Sequence, residues 1–182
     1  DSQGNIAIGY FALRDSAGGS SRDYNVAIGY AAMRNATPHI SIAIGANAGQ
    51  LLKDGAVGAV HIGHEAGRYA SGSYNVSMGY GAGKGGTTSA PYTTGEQNVA
   101  IGTQALGYFT TAGQNVAIGH QASLGVTTGA GNVVIGRASF SSATTTSKVV
   151  LVGDEAGKAI NNTGADGTVA VGYQALTDLT TG

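Results

Sequence analysis

Residues 97–106, QNVAIGTQAL, and residues 114–123, QNVAIGHQAS, spell nearly the same decapeptide twice, 17 positions apart. Catalytic groups are usually unique in a sequence, whereas similar segments at a near-constant period are the mark of an architecture that stacks one unit many times. The recurrence therefore predicts a repeat protein, and it provides the frame in which the rest of the chain can be aligned.

One glycine aligns the whole chain, because each copy places it directly after a short apolar segment. Successive copies of this repeat glycine are 16 to 23 residues apart. The ten repeat glycines are Gly9, Gly29, Gly45, Gly63, Gly79, Gly102, Gly119, Gly136, Gly153 and Gly172. We expect residues 1–182 to form a single array of about ten rungs, numbered 1 to 10 in this order. Since neither end carries a polar cap, we also expect the array to be a segment of a longer fibre.

Two aliphatic columns precede the repeat glycine, one residue and three residues before it. A spacing of two is the period of a β-strand, and both columns are mostly β-branched, so each rung is predicted to contain one short strand with an apolar face. These predicted repeat-core residues are Ile6, Ile8, Val26, Ile28, Ile42, Ile44, Val60, Ile62, Val76, Met78, Val99, Ile101, Val116, Ile118, Val133, Ile135, Val150, Val152, Val169 and Val171.

The position between the two columns is usually Ala, so the opposite face of the strand is small, and we expect a thin, flattened coil. Asn precedes the strand in six rungs. An amide side chain at a corner can cap free backbone groups and tolerates left-handed dihedrals, and stacked amides can form a hydrogen-bonded ladder. The six residues are Asn5, Asn25, Asn75, Asn98, Asn115 and Asn132.

Paired threonines recur eight and nine residues after the repeat glycine. They are Thr110 and Thr111, Thr127 and Thr128, Thr144 and Thr145, and Thr180 and Thr181. Paired Thr at a fixed offset predicts a second, more polar return strand with its hydroxyls in water. A coil of two strands per rung is a parallel β-roll, or β-solenoid, which advances about 4.8 Å per rung.

A single coil of this kind has a poor core, because each rung supplies only two large aliphatic side chains to offset the entropy of its ordered backbone. Self-association in a cyclic homo-oligomer would cover the Val and Ile face. We expect columns such as Ile101, Ile118 and Ile135 to fill a core shared between chains while Ala and Gly line the coil, although the reverse arrangement is also compatible with the pattern.

Composition excludes several classes of partner. The net charge is −1, charged residues make up 10% of the chain, and no basic run is present, so nucleic acid is not an expected partner. No stretch approaches the ~18 apolar residues of a membrane helix, so we expect no membrane insertion of this segment. The chain has no Cys, which removes disulfides and thiolate chemistry, and no motif indicates a cofactor.

Histidines and tyrosines are the remaining candidates for chemistry. His61 and His64, with His120 in the register of His64, could bind a metal or form a stacked ring, but no acidic partner stands at a fixed spacing, so we expect them to fill rung positions without metal. Tyr24, Tyr74 and Tyr92 lie in loops, where exposed Tyr often contacts carbohydrate or protein, and covering the base of a loop is an equal alternative.

The motif as an array resembles a known family. NIAIG (5–9), NVAIG (98–102) and TVAVG (168–172), followed by YQAL or HQAS, resemble the head repeats of YadA-type trimeric autotransporter adhesins and the repeat arrays of phage tail fibres. The resemblance covers all ten rungs. It implies a left-handed parallel β-roll, a homotrimer about one axis, an extracellular position on a virion fibre or bacterial surface, and attachment to a cell-surface glycan or protein receptor. The longer repeat and its TTG segments are closer to the phage-fibre branch.

We therefore expect a structural and adhesive fibre protein, not an enzyme. One alternative is a polysaccharide-degrading enzyme of the tailspike sort, which would gather acidic residues across a groove at one rung. The ten Asp and Glu residues are instead scattered, mostly through corners and loops. A second alternative is an ice-binding solenoid, which would use the paired threonines as a flat hydroxyl face.

Overall fold

The computed structural model describes residues 3–14, 23–52, 56–86, 93–161 and 163–177. Ten three-residue strands form one parallel sheet whose spatial order is the chain order. They are β1 (Ile6–Ile8), β2 (Val26–Ile28), β3 (Ile42–Ile44), β4 (Val60–Ile62), β5 (Val76–Met78), β6 (Val99–Ile101), β7 (Val116–Ile118), β8 (Val133–Ile135), β9 (Val150–Val152) and β10 (Val169–Val171). A 3-10 turn at Thr163–Ala165 is the helical element among the described residues. The protein is thus an all-β parallel solenoid, as predicted, and each rung carries the strand of the same number.

The register of the sheet follows the repeat glycine despite the uneven spacing. Ile6 pairs with Val26, Val99 with Val116, and every other pair joins equivalent positions of neighbouring rungs. The extra residues of the longer repeats therefore lie outside the strands, because a slip by one residue would turn the aliphatic columns to the opposite face.

The repeat glycine sets how closely successive rungs approach. All ten have φ between 121° and 143°, a region that side chains other than hydrogen do not tolerate. A Cβ added to Gly102 would lie 2.6 Å from the carbonyl oxygen of Gly119, and the same overlap with the next repeat glycine recurs at each one from Gly9 to Gly153. Glycine is therefore required in this column for two reasons: its positive φ angles, and the close approach of the backbone of the next rung.

Three positions of every rung are left-handed, at five residues before, two after and four after the repeat glycine. In rung 6 these are Gln97, Gln104 and Leu106, with φ of 58°, 56° and 48°. The amide of Gln104 donates to the carbonyl oxygen of Tyr80 in the preceding rung, and that of Leu106 donates to Ala122 in the following rung. Stacking thus gives the backbone amides of the turn hydrogen-bond partners in both neighbouring rungs. These bonds offset the cost of about 1 kcal/mol or more of placing a residue with a side chain in the left-handed conformation.

The predicted return strand is wrong. The described residues contain one strand per rung, and the paired threonines of rungs 6 to 8 lie in bends. The amides of Thr110, Thr111 and Ala112 all donate to the carbonyl oxygen of Thr127, at 2.9, 3.2 and 3.1 Å. A parallel ladder spaces its bonds evenly over several partners, so three donors on one acceptor mark a bend and not a strand. Thr180 and Thr181 lie outside the described residues.

The predicted Asn ladder is confirmed. Asn98 donates from its backbone N and Nδ2 to Asn75 Oδ1 at 2.9 and 3.1 Å, and Asn115 repeats both bonds to Asn98 at 3.0 and 3.1 Å. The second proton of each amide crosses the corner, since Asn115 Nδ2 also donates to the carbonyl oxygen of Gly129 at 3.0 Å. These side chains are buried, so the ladder ties the strand to the far wall of the coil without help from water.

The interior of the coil, which we call the lumen, is filled by the strand centre and by turn residues four and seven positions after the repeat glycine. The middle residue of each strand from β2 to β10 is buried. In rung 6 this residue is Ala100, and Leu106 enters the lumen four residues after the repeat glycine. In rung 9 it is Leu151, the same turn position is a glycine, and a Cβ on Gly157 would lie 2.7 Å from Leu151 Cδ1. Such size compensation does not hold in every rung, since Val134 and Phe140 are both buried in rung 8. The expected Ala-lined strand face is therefore correct, but turn residues fill the space in front of it.

Replacing Asn115 by Ala should lower the free energy of unfolding by about 2–4 kcal/mol, because it leaves the buried amide of Asn132 and the carbonyl of Gly129 without their partners. Asn115→Ser is the matched control. Ser41 occupies the same position in rung 3, where its Oγ accepts from the amide of Ala59 at 3.1 Å, so Ser should recover part of the loss. Chemical denaturation of the parent and the two variants measures the differences in the free energy of unfolding. Equal stability of Asn115→Ala and the parent would contradict a stabilising role of the Asn ladder.

Candidate functional site

The outer face of the sheet carries both aliphatic columns and is the main candidate for an interaction surface. Strand alternation turns the middle residue inward and its two neighbours outward. All twenty predicted repeat-core residues therefore lie on this outer face, and none is fully buried within the single chain. Ile101 is 36% exposed in the middle of the array, and Ile8 and Val171 reach 57% and 70% in rungs 1 and 10.

The outer face has an unusual chemical uniformity. Val, Ile and Met occupy all twenty positions, so neither a charge nor a polar side chain interrupts the two columns. Ten strands spaced by about 4.8 Å make this strip roughly 45 Å long. Soluble chains usually scatter their exposed apolar side chains, and a continuous exposed strip marks a surface that is covered by something else.

Tyrosines flank the outer face along both of its edges. At the corner after the repeat glycine, Tyr10 and Tyr30 stack with their ring centroids 6.0 Å apart, and Tyr80 stacks on His64 at 5.3 Å. These tyrosines are half-exposed or more. Amphipathic rings at the border of an apolar surface suit the rim of an interface, where one end of the side chain is dry and the other is wet.

The predicted contact residues Tyr24 and Tyr74 lie at the opposite edge, in the left-handed position before the strands of rungs 2 and 5. Both are exposed, at 59% and 56%, yet each ring also lies over a glycine of the preceding rung, Gly4 or Gly58. Three rungs, or about 14 Å, separate them, so the structure does not bring them into one site. Tyr92 lies outside the described residues.

A shallow groove runs across the corner of rungs 4 to 7. It has a cavity volume of about 70 Å³ and is lined by Glu65, Tyr80, Gly81, Lys84, Gln104, Gly107, Tyr108 and Leu124. Two features make room for the groove. The buried Gly81 and Gly107 form its floor, and the position directly after the repeat glycine is Tyr80 in rung 5 but the smaller Thr103 in rung 6. Tyr80 and Tyr108, each 52% exposed, present ring surface at its sides. Sequence reasoning missed this groove, since its residues come from four rungs.

An ion-paired carboxylate lies at one end of the groove. Glu65 Oε2 is 2.7 Å from Lys84 Nζ, and its other oxygen contacts Arg68. Partial burial by itself would raise the pKa of Glu65, but the hydrogen bonds and positive charges of Lys84 and Arg68 outweigh it and lower the pKa below its ordinary value. Glu65 is therefore ionised at neutral pH, with its charge paired to Lys84 and Arg68, and it is not a proton donor.

Glu155 is the other carboxylate with a resolved shift. Hydrogen bonds from Lys158 and Gln174 lower its pKa, and the charges of Lys158 and Arg137 act in the same direction. A glycosidase needs one carboxylic acid whose pKa is raised, so that it can protonate the leaving oxygen. The environments of Glu65 and Glu155 push the pKa the opposite way.

The candidate histidines do not form one site. His61 points into the lumen and is fully buried, whereas His64 lies on the outer corner against Tyr80. His120 occupies the His64 position three rungs later. Among the described residues, no group of three or more His, Cys, Asp or Glu side chains is placed to hold a metal ion.

Neither a protein-family model, nor a curated protein, nor a solved structure matches the chain. Within the described ranges, no helix has the length and apolar character needed to cross a bilayer.

Proposed function

We propose that this chain is a structural segment of a homotrimeric fibre, in which three copies pack their outer faces around a common axis. The observation that carries the proposal is the direction of the aliphatic columns: the large apolar side chains point away from the coil, and the lumen is already filled by other residues. The solenoid thus has a complete interior of its own and a second apolar surface that still needs cover.

Energetics favour association through this surface. Fully burying a Val or Ile side chain contributes ~1.5–3 kcal/mol, and the most open outer-face residues expose between 36% and 70% of their area. Because every rung presents the same two columns, a parallel copy can pack level against level along the whole length. Closed cyclic symmetry gives each copy the same environment, and the family resemblance selects three copies over two.

The native mass tests the trimer. The parent protein should scatter light as a particle of about three times the chain mass of 17.9 kDa. Ile118→Asp places three carboxylates at one level of the shared core and should dissociate the particle or prevent its assembly. Thr128→Asp, on the exposed far side of the same rung, is the matched control and should leave the mass unchanged. A parent protein that is monomeric at micromolar concentration would overturn the proposal.

The second part of the proposed function is attachment of the fibre to a cell surface through a glycan. The groove of rungs 4 to 7 supports it, because ring faces of Tyr80 and Tyr108 can pack on the C–H face of a sugar while Gln104 and Glu65 lie within the same groove to accept hydroxyl hydrogens. The Glu65 charge is compensated by Lys84, which favours a neutral saccharide.

The two alternatives receive less support. A depolymerase would need an acid of raised pKa beside a second carboxylate, and the described carboxylates with resolved pKa shifts have lowered values. An ice-binding face would need a flat strand of threonines, and the threonines of rungs 6 to 8 lie in bends. The proposed adhesive function implies an extracellular position on a virion or bacterial surface, and this location is part of the same proposal.

Tyrosine fluorescence tests glycan binding, because the chain has nine Tyr and no Trp to mask them. Titration with the neutral oligosaccharides cellopentaose, chitopentaose and maltopentaose should reveal binding of at least one, and Tyr108→Ala should weaken it tenfold or more. Tyr74→Ala, on the opposite corner, should bind like the parent. Loss in Tyr74→Ala alone would move the contact to that corner, and absence of binding to every oligosaccharide would contradict glycan attachment without touching the trimer.

A further inference from the structure

His61 is the most unfavourably placed polar side chain of the lumen. It is the middle residue of β4, it is 0% exposed, and neither Nδ1 nor Nε2 has a hydrogen-bond partner. The ring fits because Gly67, four residues after the repeat glycine of the same rung, has no side chain: a Cβ there would lie 2.2 Å from Nδ1. Burying a polar ring without partners already costs free energy when it is neutral.

Within the part of the chain that the structure describes, no charged side chain lies beside His61 in the lumen to compensate a proton on its ring. The ring is packed beside Ala43 of β3 and Ser77 of β5, with Gly49 and Gly67 across the coil. The nearby titratable groups on the same and adjacent rungs lie elsewhere: His64 stacks on Tyr80 at the outer corner, and Glu65 is paired with Arg68 and Lys84. His39 is half-buried and lies before β3, and its buried Nδ1 has no hydrogen-bond partner. A test of His61 therefore needs a control variant at His39.

The apolar packing of the lumen is interrupted at the same place. One cluster of buried apolar residues runs from Ala27 to Ala59, and a second runs from Ala70 to Ala170. Between the strand-centre residues of the two clusters stand His61 and Ser77, each facing a glycine. Among the described residues, the buried apolar side chains of rungs 4 and 5 are all alanines, namely Ala56, Ala59, Ala66, Ala70 and Ala82. These rungs therefore have smaller apolar contacts through the lumen than rungs whose turns carry Leu, Met or Phe.

We propose that rungs 4 and 5 form an acid-labile joint, at which protonation of His61 opens the coil locally and separates it into two independently folded blocks. A cation cannot remain in a dry lumen without a counter-ion, so the rung must open to bring the ring into water. The blocks on either side retain their own apolar clusters and their own strand pairing. The lumen lies within one chain, so the side chains that surround His61 belong to that chain alone.

Burial lowers the pKa of His61 from its ordinary 6.5 to about 4, which sets the direction and the window. An opened or unfolded chain takes up the proton below about pH 6.5, whereas the closed coil does so only near pH 4. The closed state is thus fully favoured above pH 6.5 and loses this contribution progressively as the pH falls to about 4. Between pH 7 and pH 4 the opening constant should rise roughly 100-fold.

Hydrogen exchange of the full chain, measured at pH 7 and pH 4 and corrected for intrinsic rates, tests the joint. In the parent, opening of β4 should increase about 100-fold at pH 4 while β2 and β7 stay protected. His61→Leu reproduces the native pair of Leu151 and Gly157, and it should reduce the increase to threefold or less. His64→Asn and His39→Asn are the matched controls and should respond like the parent.

The proposal would be overturned by an acid response in His61→Leu equal to that of the parent, or by loss of protection over all ten strands at once. If His61→Leu fails to fold, His61→Ser serves instead, because Ser77 with Gly83 already occupies the equivalent positions in rung 5. A parent that shows no increase at β4 down to pH 4 would count against the joint in the same way.

Discussion

The close contact between stacked repeat glycines is the constraint on which the rest of the structure depends. From Gly9 to Gly153, a Cβ on the repeat glycine would lie 2.0 to 2.8 Å from the carbonyl oxygen of the next one, so the rungs can approach only if no side chain stands in this column. Their φ values of 121° to 143° turn the chain out of the strand at the same point in every rung. Because that point is shared, the strands fall into register, the aliphatic columns align, and the Asn corner is stacked at hydrogen-bonding distance.

Sequence reasoning succeeded where one residue type has one structural use. An alternation of period two and a recurrent Asn before a strand each carry their meaning locally, and both predictions correspond to what the coil contains. The same logic failed for Thr110 and Thr111, because β-branched residues favour strands but also suit exposed bends, and tertiary bonds to Thr127 decided between them. Propensity alone could not settle that choice.

Other features were beyond a single-rung pattern. The left-handed positions carry residues as different as Phe11, Gln104 and Lys148, so no residue type identifies them, and only the bonds to both neighbouring rungs explain why they are tolerated. The groove combines side chains from four rungs, and His61 could be assigned to the lumen only once Gly67 was known to face it. The orientation of the strand could not be predicted either. Periodicity places Ile101 and Ala100 on opposite faces, but it does not determine which of the two residues points into the lumen.

The size compensation between the strand centre and the turn has an evolutionary consequence. Since Leu151 is accommodated by Gly157 within the same rung, and Ala100 by Leu106 within its own, each of these repeats carries both halves of its packing in the contiguous stretch 151–157 or 100–106. Duplication or deletion of a whole repeat in the gene therefore transfers a self-consistent unit and leaves the neighbouring units intact. Point substitutions at such a compensated pair lack this freedom, because the two residues must change together. Such a chain is expected to diversify in length faster than in interior sequence.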